Sequence, residues 1–314
     1  MSRTQTRRVV SLWQLWATLV VLSLVLTGCT NQERGNPDGW VEIVPETVPE
    51  IAALVPEDLQ KRGVLRMGTN TPFAPFEFKD SDGTIIGTEM DLGRALASVM
   101  GLEFEPVEQD FALILPSVSS GTVDVGGSGF TDTEERRQNY DFVNTLYAGI
   151  QWAQHAERDA EIDPEHPCGL TVAVQRNTVA QTDEIIPKSQ ACAEAGEEPI
   201  EILAYDTSDN AATAFVLGRA DAFAADSPIV SWVEDQADGE IQEVGPMYHA
   251  APYGFAVPKD AELTNALVAA MDHLIETGTY EEILDQWNIQ DGLIEEPLVN
   301  EKPVEIPLSH TLAP

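Results

Sequence analysis

The residues best suited to chemistry lie in one short stretch, residues 124–137, with the sequence DVGGSGFTDTEERR. Glycines there allow the backbone to approach a ligand closely and to adopt unusual dihedral angles. Ser128 and Thr131 supply hydroxyl groups, and Arg136 supplies a planar guanidinium that can hold a carboxylate through two parallel hydrogen bonds. The stretch therefore predicts a binding site for a small anion, most simply a carboxylate.

Two other interpretations of this stretch stay open. A glycine-rich turn often only connects two elements, and Arg136 would then pair with a neighbouring acid such as Asp132, Glu135 or Asp141. Gly127-Ser128-Gly129 also resembles the centre of a nucleophile elbow, the turn that exposes a catalytic serine. However, Phe130 stands where the pattern G-x-S-x-G requires glycine.

A strand and a helix are expected to hold these groups in place. Val123 and Val125 predict a short strand before the glycines. Thr131 followed by Glu134 fits a capping box, which predicts that a helix begins at Thr131 and that Arg136 lies just inside it.

Strands alternate with helices along the chain from about residue 58 onwards, and this order predicts an α/β fold. Ligands of such folds bind beyond the carboxyl ends of the strands. Site loops are expected at four such ends: residues 70–76, residues 128–136, residues 177–179 and Asp226. Two of them have alternatives, because the rings of Phe73 and Phe76 can also fill a core, and Asp226 can also cap a helix.

The N-terminus has the features of an export segment. Arginines precede an uncharged, largely apolar run over residues 9–26, and Leu26-Thr27-Gly28-Cys29 matches the lipobox of bacterial lipoproteins, in which Cys29 is lipidated. The run also suits a short membrane span. Either interpretation places the rest of the chain outside the cytoplasm, extracellular or periplasmic, and the lipoprotein interpretation anchors it to the membrane.

Cysteines and charge limit the partners. Cys168 and Cys192 remain as a pair in an oxidising compartment, so we expect a disulfide between them, with two free buried thiols as the alternative. The formal net charge of −36 repels nucleic acid and anionic lipid. The histidines have no metal-ligand spacing, so neither a metal nor a cofactor is expected.

Several motifs in a fixed order resemble the family 3 extracellular solute-binding proteins, the amino-acid receptors of bacterial ABC importers. The resemblance covers residues 60–290. It rests on GTNTPFAPFEF at residues 68–78, G-x-x-x-D-L at 87–92, SGTVDVGGSGFTDTEERR at 120–137, VAVQRNTVA at 172–180, LGRADAFAADSP at 217–228 and APYGFAV at 251–257.

The resemblance implies a two-lobed fold like that of the type II periplasmic binding proteins, in which two hinge strands join two α/β lobes that close on a ligand. The expected organisation is a signal peptide over residues 1–28, a flexible tether over 29–57, a first lobe from 58–152 and 253–292, a second lobe over 153–252, and a loose tail over 293–314.

The resemblance also implies a role for each matching residue. Arg136 would hold the α-carboxylate of an amino acid, Asp226 would bind its α-ammonium, and Asn70 would touch the far end of its side chain. The expected ligand-binding set is Asn70, Phe73, Phe76, Ser128, Gly129, Thr131, Arg136, Thr178, Val179 and Asp226.

Asn70 stands where family members that bind basic amino acids often have aspartate, so the expected ligand has a neutral or polar side chain. The expected function is that of a monomeric, lipid-anchored receptor that delivers this amino acid to an ABC permease, with no catalytic residues. A ligand-sensing lipoprotein and a dehydratase-type enzyme on the same scaffold are the alternatives.

Overall fold

The computed structural model describes residues 35–37, 39–289 and 291–304. The signal peptide and the lipidation site at Cys29 lie outside these residues. Within the described ranges, no helix has the length and the apolar character needed to cross a membrane.

Helices and strands alternate as the sequence predicts. The α-helices are α1 (Pro49–Ala52), α2 (Glu57–Arg62), α3 (Thr88–Val99), α4 (Phe111–Ser119), α5 (Ile186–Ala195), α6 (Ser208–Val216), α7 (Ser227–Gln236), α8 (Leu263–Glu276) and α9 (Thr279–Gln286). The strands are β1 (Val64–Thr69), β2 (Phe78–Lys79), β3 (Ile85–Ile86), β4 (Glu103–Glu108), β5 (Val125–Gly126), β6 (Tyr140–His155), β7 (Thr171–Gln175), β8 (Glu201–Tyr205), β9 (Ala222–Asp226), β10 (Ile241–Pro258), β11 (Leu298–Val299) and β12 (Lys302–Pro303).

Two parallel groups of strands define two lobes. In the first lobe β1 pairs in parallel with β4 and β5, and in the second lobe β7 pairs in parallel with β8 and β9. The long strands β6 and β10 pair antiparallel with each other and run through both lobes, which gives the strand order β4-β1-β5-β10-β6-β9-β7-β8. The predicted two-lobed α/β fold is confirmed.

The two lobes meet where the pairing of β6 with β10 becomes irregular. Register shifts fall between Val244 and Tyr248 and between Tyr248 and Ala251. His249, between them, has a positive φ of 48°. Irregular pairing in a long two-stranded connection allows local bending, and both connections between the lobes pass through this region.

The N-terminal segment packs on the first lobe, whereas the sequence led us to expect a flexible tether over residues 29–57. Trp40 Nε1 donates a hydrogen bond to Asp91 Oδ2 over 2.7 Å. Ile51 and Val55 are only 2 % and 3 % exposed and belong to the main apolar core. The flexible tether was predicted from the prolines of this segment. Ile51 and Val55 are four residues apart and lie on one face of the chain, and this spacing was overlooked.

The C-terminal segment is also ordered where a loose tail was expected over residues 293–314. Ile294 and Leu298 are buried, and β11 pairs with both β6 and β12. Residues 291–304 therefore belong to the first lobe, and residues 305–314 lie outside the described part of the chain.

A disulfide joins Cys168 to Cys192 and ties the loop before β7 to α5 in the second lobe.

Candidate functional site

The glycine-rich stretch follows β5, as predicted, but the predicted helix at Thr131 does not form. Thr131 instead makes an isolated bridge with Tyr253 of β10, and Asp132 N donates to Pro252 O over 2.9 Å. Only a 3₁₀ helix of three residues follows, at Arg136–Gln138. The capping-box prediction was wrong because pairing with a strand that is distant in sequence keeps Thr131 extended.

Arg136 faces the cleft from this turn. Its Nη1 donates to Thr131 O over 2.7 Å, and its guanidinium lies 5.3 Å from the centre of the Phe130 ring. Burial lowers the pKa of Arg136, and the nearby Asp226 carboxylate opposes that shift.

The sequence offers three acids as partners of Arg136. Two of them pair with other residues, and Glu135 makes no ion pair in the described ranges. Asp132 pairs with Arg137, and Asp141 pairs with Lys259. The guanidinium of Arg136 therefore remains available for an anionic ligand.

Ser128 is held by a buried carboxyl rather than by a histidine. Its Oγ donates to Glu77 Oε1 and accepts a hydrogen bond of 3.2 Å from Asn70 N. The adjacent Gly129, which has a φ of +59°, donates from its N–H to Glu89 Oε2 over 3.1 Å. The arrangement fixes the turn and does not activate Ser128 as a nucleophile.

Glu77 and Glu89 form a buried carboxyl pair behind this turn. They are 0 % and 4 % exposed. Burial and then the Glu89 charge hold the pKa of Glu77 well above its usual range, and burial raises the pKa of Glu89 to about 7. Glu77 therefore holds its proton more tightly than an exposed glutamate does. The pair was not predicted from the sequence, because the two acids lie in separate motifs.

Asp226 lies at the end of β9 with its side chain in the cleft. It occupies the N-cap position of α7, but its carboxylate makes no capping hydrogen bond. Burial raises its pKa to about 6, although the nearby Tyr253 hydroxyl and the charge of Arg136 act in the opposite direction. The capping alternative is thus not supported, and a buried carboxylate faces the same space as Arg136.

The second lobe contributes the turn after β7. Asn177 has a positive φ of 64°, and Thr178 Oγ1 donates to Gln175 O over 2.8 Å. Val179 is buried and precedes a π-helical segment, Ala180–Ile185, that leads into α5.

Asn70 and Gln175 connect the lobes across the cleft. Gln175 Nε2 donates to Asn70 Oδ1 over 2.9 Å, and Asn70 Nδ2 donates to Gln109 O over 3.1 Å. Both Asn70 and Gln175 are buried. The sequence did not lead us to expect Gln175 in the site, although a polar side chain at the end of a strand was the available signal.

The two phenylalanines of the loop after β1 have different positions. Their ring centres lie 5.6 Å apart. Phe73 lines the cleft and closely approaches Gly129, whereas Phe76 lies behind it, against Tyr253, and is not among the residues that line the cleft. Phe76 therefore fills the core, which was the alternative for this ring.

Apart from Phe76 and Asn70, the predicted site residues surround one small cavity between the lobes, which has about 10 Å³ of free space. It is lined by Phe73, Phe111, Ser128, Gly129, Thr131, Arg136, Gln175, Thr178, Val179 and Asp226. Phe111 is a second lining residue that the sequence analysis missed. A larger cavity of about 450 Å³ adjoins it and shares Phe111, Arg136 and Val179.

A cationic group and a carboxylate thus face one cavity. Such a pair suits a ligand that carries a carboxylate and an ammonium group, as a free amino acid does. Within the described ranges, no group of three or more His, Cys, Asp or Glu side chains is placed to hold a metal ion.

Comparison with known proteins agrees with this geometry. The sequence profile described as bacterial extracellular solute-binding proteins, family 3, matches residues 65–290. The chain is 61 % identical over 287 residues to the arginine-binding protein ArgT of Corynebacterium glutamicum, which covers 91 % of the chain and 94 % of the relative. It is 30 % identical to the L-arginine-binding protein of Pseudomonas aeruginosa, over 71 % of the chain and 87 % of the relative.

Among solved structures, an ancestral arginine-binding protein bound to arginine superposes with a TM-score of 0.65 at 30 % sequence identity. The match covers 72 % of the chain and 98 % of that structure.

Proposed function

The chain belongs to the bacterial extracellular solute-binding proteins, family 3, and on that premise we propose that it captures free arginine and delivers it to an ABC importer. The similarity to ArgT carries the choice of arginine, since it extends over nearly the whole length of both chains. Arginine replaces the neutral or polar side chain that Asn70 led us to expect.

The charge of the cleft is consistent with a cationic side chain even though residue 70 is uncharged. Asp226 faces the cavity, and Glu89 lies directly behind Gly129. Both carboxylates lie within a largely buried region, where their field is screened less than at the surface. The prediction of a neutral or polar side chain considered negative charge at residue 70 only.

In the proposed pose, the ligand contacts residues of both lobes. Arg136 holds the α-carboxylate, Asp226 binds the α-ammonium, and the guanidinium of the ligand stacks on an aromatic ring such as Phe73 or Phe111. An arginine guanidinium is planar and weakly hydrated, which favours stacking on aromatic faces.

Entry of arginine requires the lobes to separate. The inner cavity has about 10 Å³ of free space, which is about the room for one water molecule. We therefore propose that β6 and β10 bend at their irregular region, so that the Asn70–Gln175 hydrogen bond breaks and the cleft opens.

Isothermal titration of the purified protein with L-arginine, L-lysine, L-histidine and L-glutamine tests the proposal. L-Arginine is expected to bind most tightly, and Arg136→Ala is expected to abolish binding. Arg158→Ala is the matched control, because Arg158 forms a half-exposed ion pair with Asp221 in the second lobe. Tighter binding of glutamine than of arginine would contradict the proposed ligand.

The anchor and the transport partner are part of the same proposal. The motif that ends at Cys29 supports a lipid anchor facing outside the cytoplasm, and the family supports delivery to membrane permease subunits. A Cys29→Ser variant is expected to appear in the soluble fraction, and retention in the membrane would argue against the lipid anchor. The absence of bond chemistry is tested by recovering arginine unchanged after incubation with the protein.

A further inference from the structure

A C-terminal hairpin lies outside the region that matches the family and contacts the binding turn. The hairpin consists of Leu298–Val299 and Lys302–Pro303, which pair with each other, and the two residues between them. The family match ends at residue 290. Val299 also pairs with Val143 of β6, so the hairpin extends the sheet of the first lobe.

The turn of this hairpin contains a residue that is poorly suited to its backbone conformation. Asn300 and Glu301 have φ values of 55° and 64°. Two-residue hairpin turns with positive φ at both positions favour Asn-Gly, and glutamate is disfavoured there. A glutamate at the second position therefore points to a function of its side chain.

The side chain of Glu301 closes a ring of polar contacts. Its Oε2 lies 2.7 Å from Arg137 Nη2, and Arg137 Nε lies 2.5 Å from Asp132 Oδ1. Asn144 Nδ2 donates to Asp132 Oδ2 over 2.9 Å, and Asn144 Oδ1 accepts from Glu301 N over 2.9 Å. The ring thus joins the hairpin, β6 and the binding turn.

This ring holds both ends of the binding turn, residues 131–137. Asp132 follows Thr131 directly, and Arg137 follows Arg136 directly. The side chain of Asp132 is 0 % exposed, so its attachment to Arg137 and Asn144 is shielded from water. A displacement of Arg137 would move the adjacent Arg136 away from the position in which it receives a carboxylate.

We propose that Glu301 is a positioning residue for ligand binding: through Arg137 and Asp132 it presets Arg136 for the ligand carboxylate. This inference rests on the proposed function. It extends the binding machinery to a segment beyond the family-matched region.

The test compares Glu301→Gly, Glu301→Gln and a matched control in the full chain. Glycine suits the left-handed backbone and removes the carboxylate, so the melting temperature should stay near that of the wild type. Asp238→Gly is the control, because Asp238 is exposed, has a φ of 48°, and makes no ion pair in the described ranges. The ligands are L-arginine and L-argininamide, which lacks the carboxylate.

Glu301→Gly is expected to raise the Kd of L-arginine about fivefold, because a change of this size is typical of the loss of one partly exposed ion pair. The Kd of L-argininamide should change by less than about twofold, since its amide does not need the preset guanidinium. Glu301→Gln should lie between the wild type and Glu301→Gly, and Asp238→Gly should match the wild type.

Three outcomes would overturn the role of Glu301. They are an unchanged Kd of L-arginine in Glu301→Gly, an equal loss for both ligands, and a loss that merely follows a fall in melting temperature. A wild-type protein that does not bind L-arginine would instead refute the proposed function.

Discussion

Replacing Glu77 with glutamine tests the buried carboxyl pair that supports Ser128 and Gly129. In the folded state, burial and Glu89 hold the pKa of Glu77 well above its usual value. In the unfolded state the carboxyl ionises at its usual value of about 4.5, so unfolding releases the proton wherever the folded state still holds it. The unfolding free energy of the wild type must therefore fall as pH rises.

The magnitude follows from the number of protons rather than from the size of the shift. One proton that only the folded state retains changes the unfolding free energy by about 1.4 kcal/mol per pH unit, or about 3 kcal/mol between pH 6 and pH 8. A glutamine at this position keeps an oxygen that accepts from Ser128 Oγ and an N–H that donates to Glu89. The variant should lose the contribution of Glu77 to the pH dependence, whereas Glu89, with a pKa of about 7, still titrates in this range.

Urea unfolding at several values between pH 6 and pH 8, followed by tryptophan fluorescence, measures the effect. The profile of Glu77→Gln is expected to be flatter than that of the wild type by about 3 kcal/mol over this range. Glu108→Gln is the control, because hydrogen bonds from Lys79 and Thr71 lower the pKa of Glu108 and it is ionised in both states here. Parallel profiles for the wild type and Glu77→Gln would refute the shared proton.

Two further predictions concern the cleft itself. Burial raises the pKa of Asp226 to about 6, so the affinity for L-arginine should fall by up to about tenfold per pH unit below pH 6. Asp226→Asn should bind L-arginine weakly and without this pH dependence. Titration calorimetry from pH 5 to pH 8 measures both, and a wild-type affinity that does not change below pH 6 would contradict the prediction. Gly129→Ala should lower the unfolding free energy by about 2 kcal/mol, because its Cβ would lie 2.6 Å from the Phe73 ring at a φ of +59°. Gly121→Ala is the control, because Gly121 has a φ of +72° but open space around its Cβ position. Urea unfolding of both variants separates the contact from the backbone effect, and equal losses of unfolding free energy would contradict the prediction.

Local chemistry made much of the fold and the cleft predictable. Glycines, prolines and helical spacing locate the strand ends, and the ends of parallel strands meet at one edge of a sheet. This reasoning brought Arg136, Thr178 and Asp226 to one cavity, although they come from three distant segments. The residue types of the glycine-rich stretch indicated an anion site, and the family resemblance added Asp226 as the partner of an ammonium group.

The errors came from contacts between segments that are distant in sequence. The helix predicted at Thr131 is replaced by pairing with Tyr253 of β10, which no local pattern reports. Phe76 and Phe73 have the same residue type, and only tertiary packing decides which ring faces the cleft. The contact of Glu89 with Gly129 also joins two segments that are distant in sequence, so the charge that it brings behind the binding turn was not visible from Asn70 alone.

The paired strands β6 and β10 also set an order in which the protein can fold as the chain emerges from a membrane pore. The second lobe is one continuous stretch whose two ends lie side by side, since His155 pairs with Ile241. It can close once residue 244 has appeared, whereas the first lobe needs β10 and then Asn300 and Glu301 against β6. The binding turn, residues 131–137, would therefore be completed last, after the lobe opposite to it has already formed.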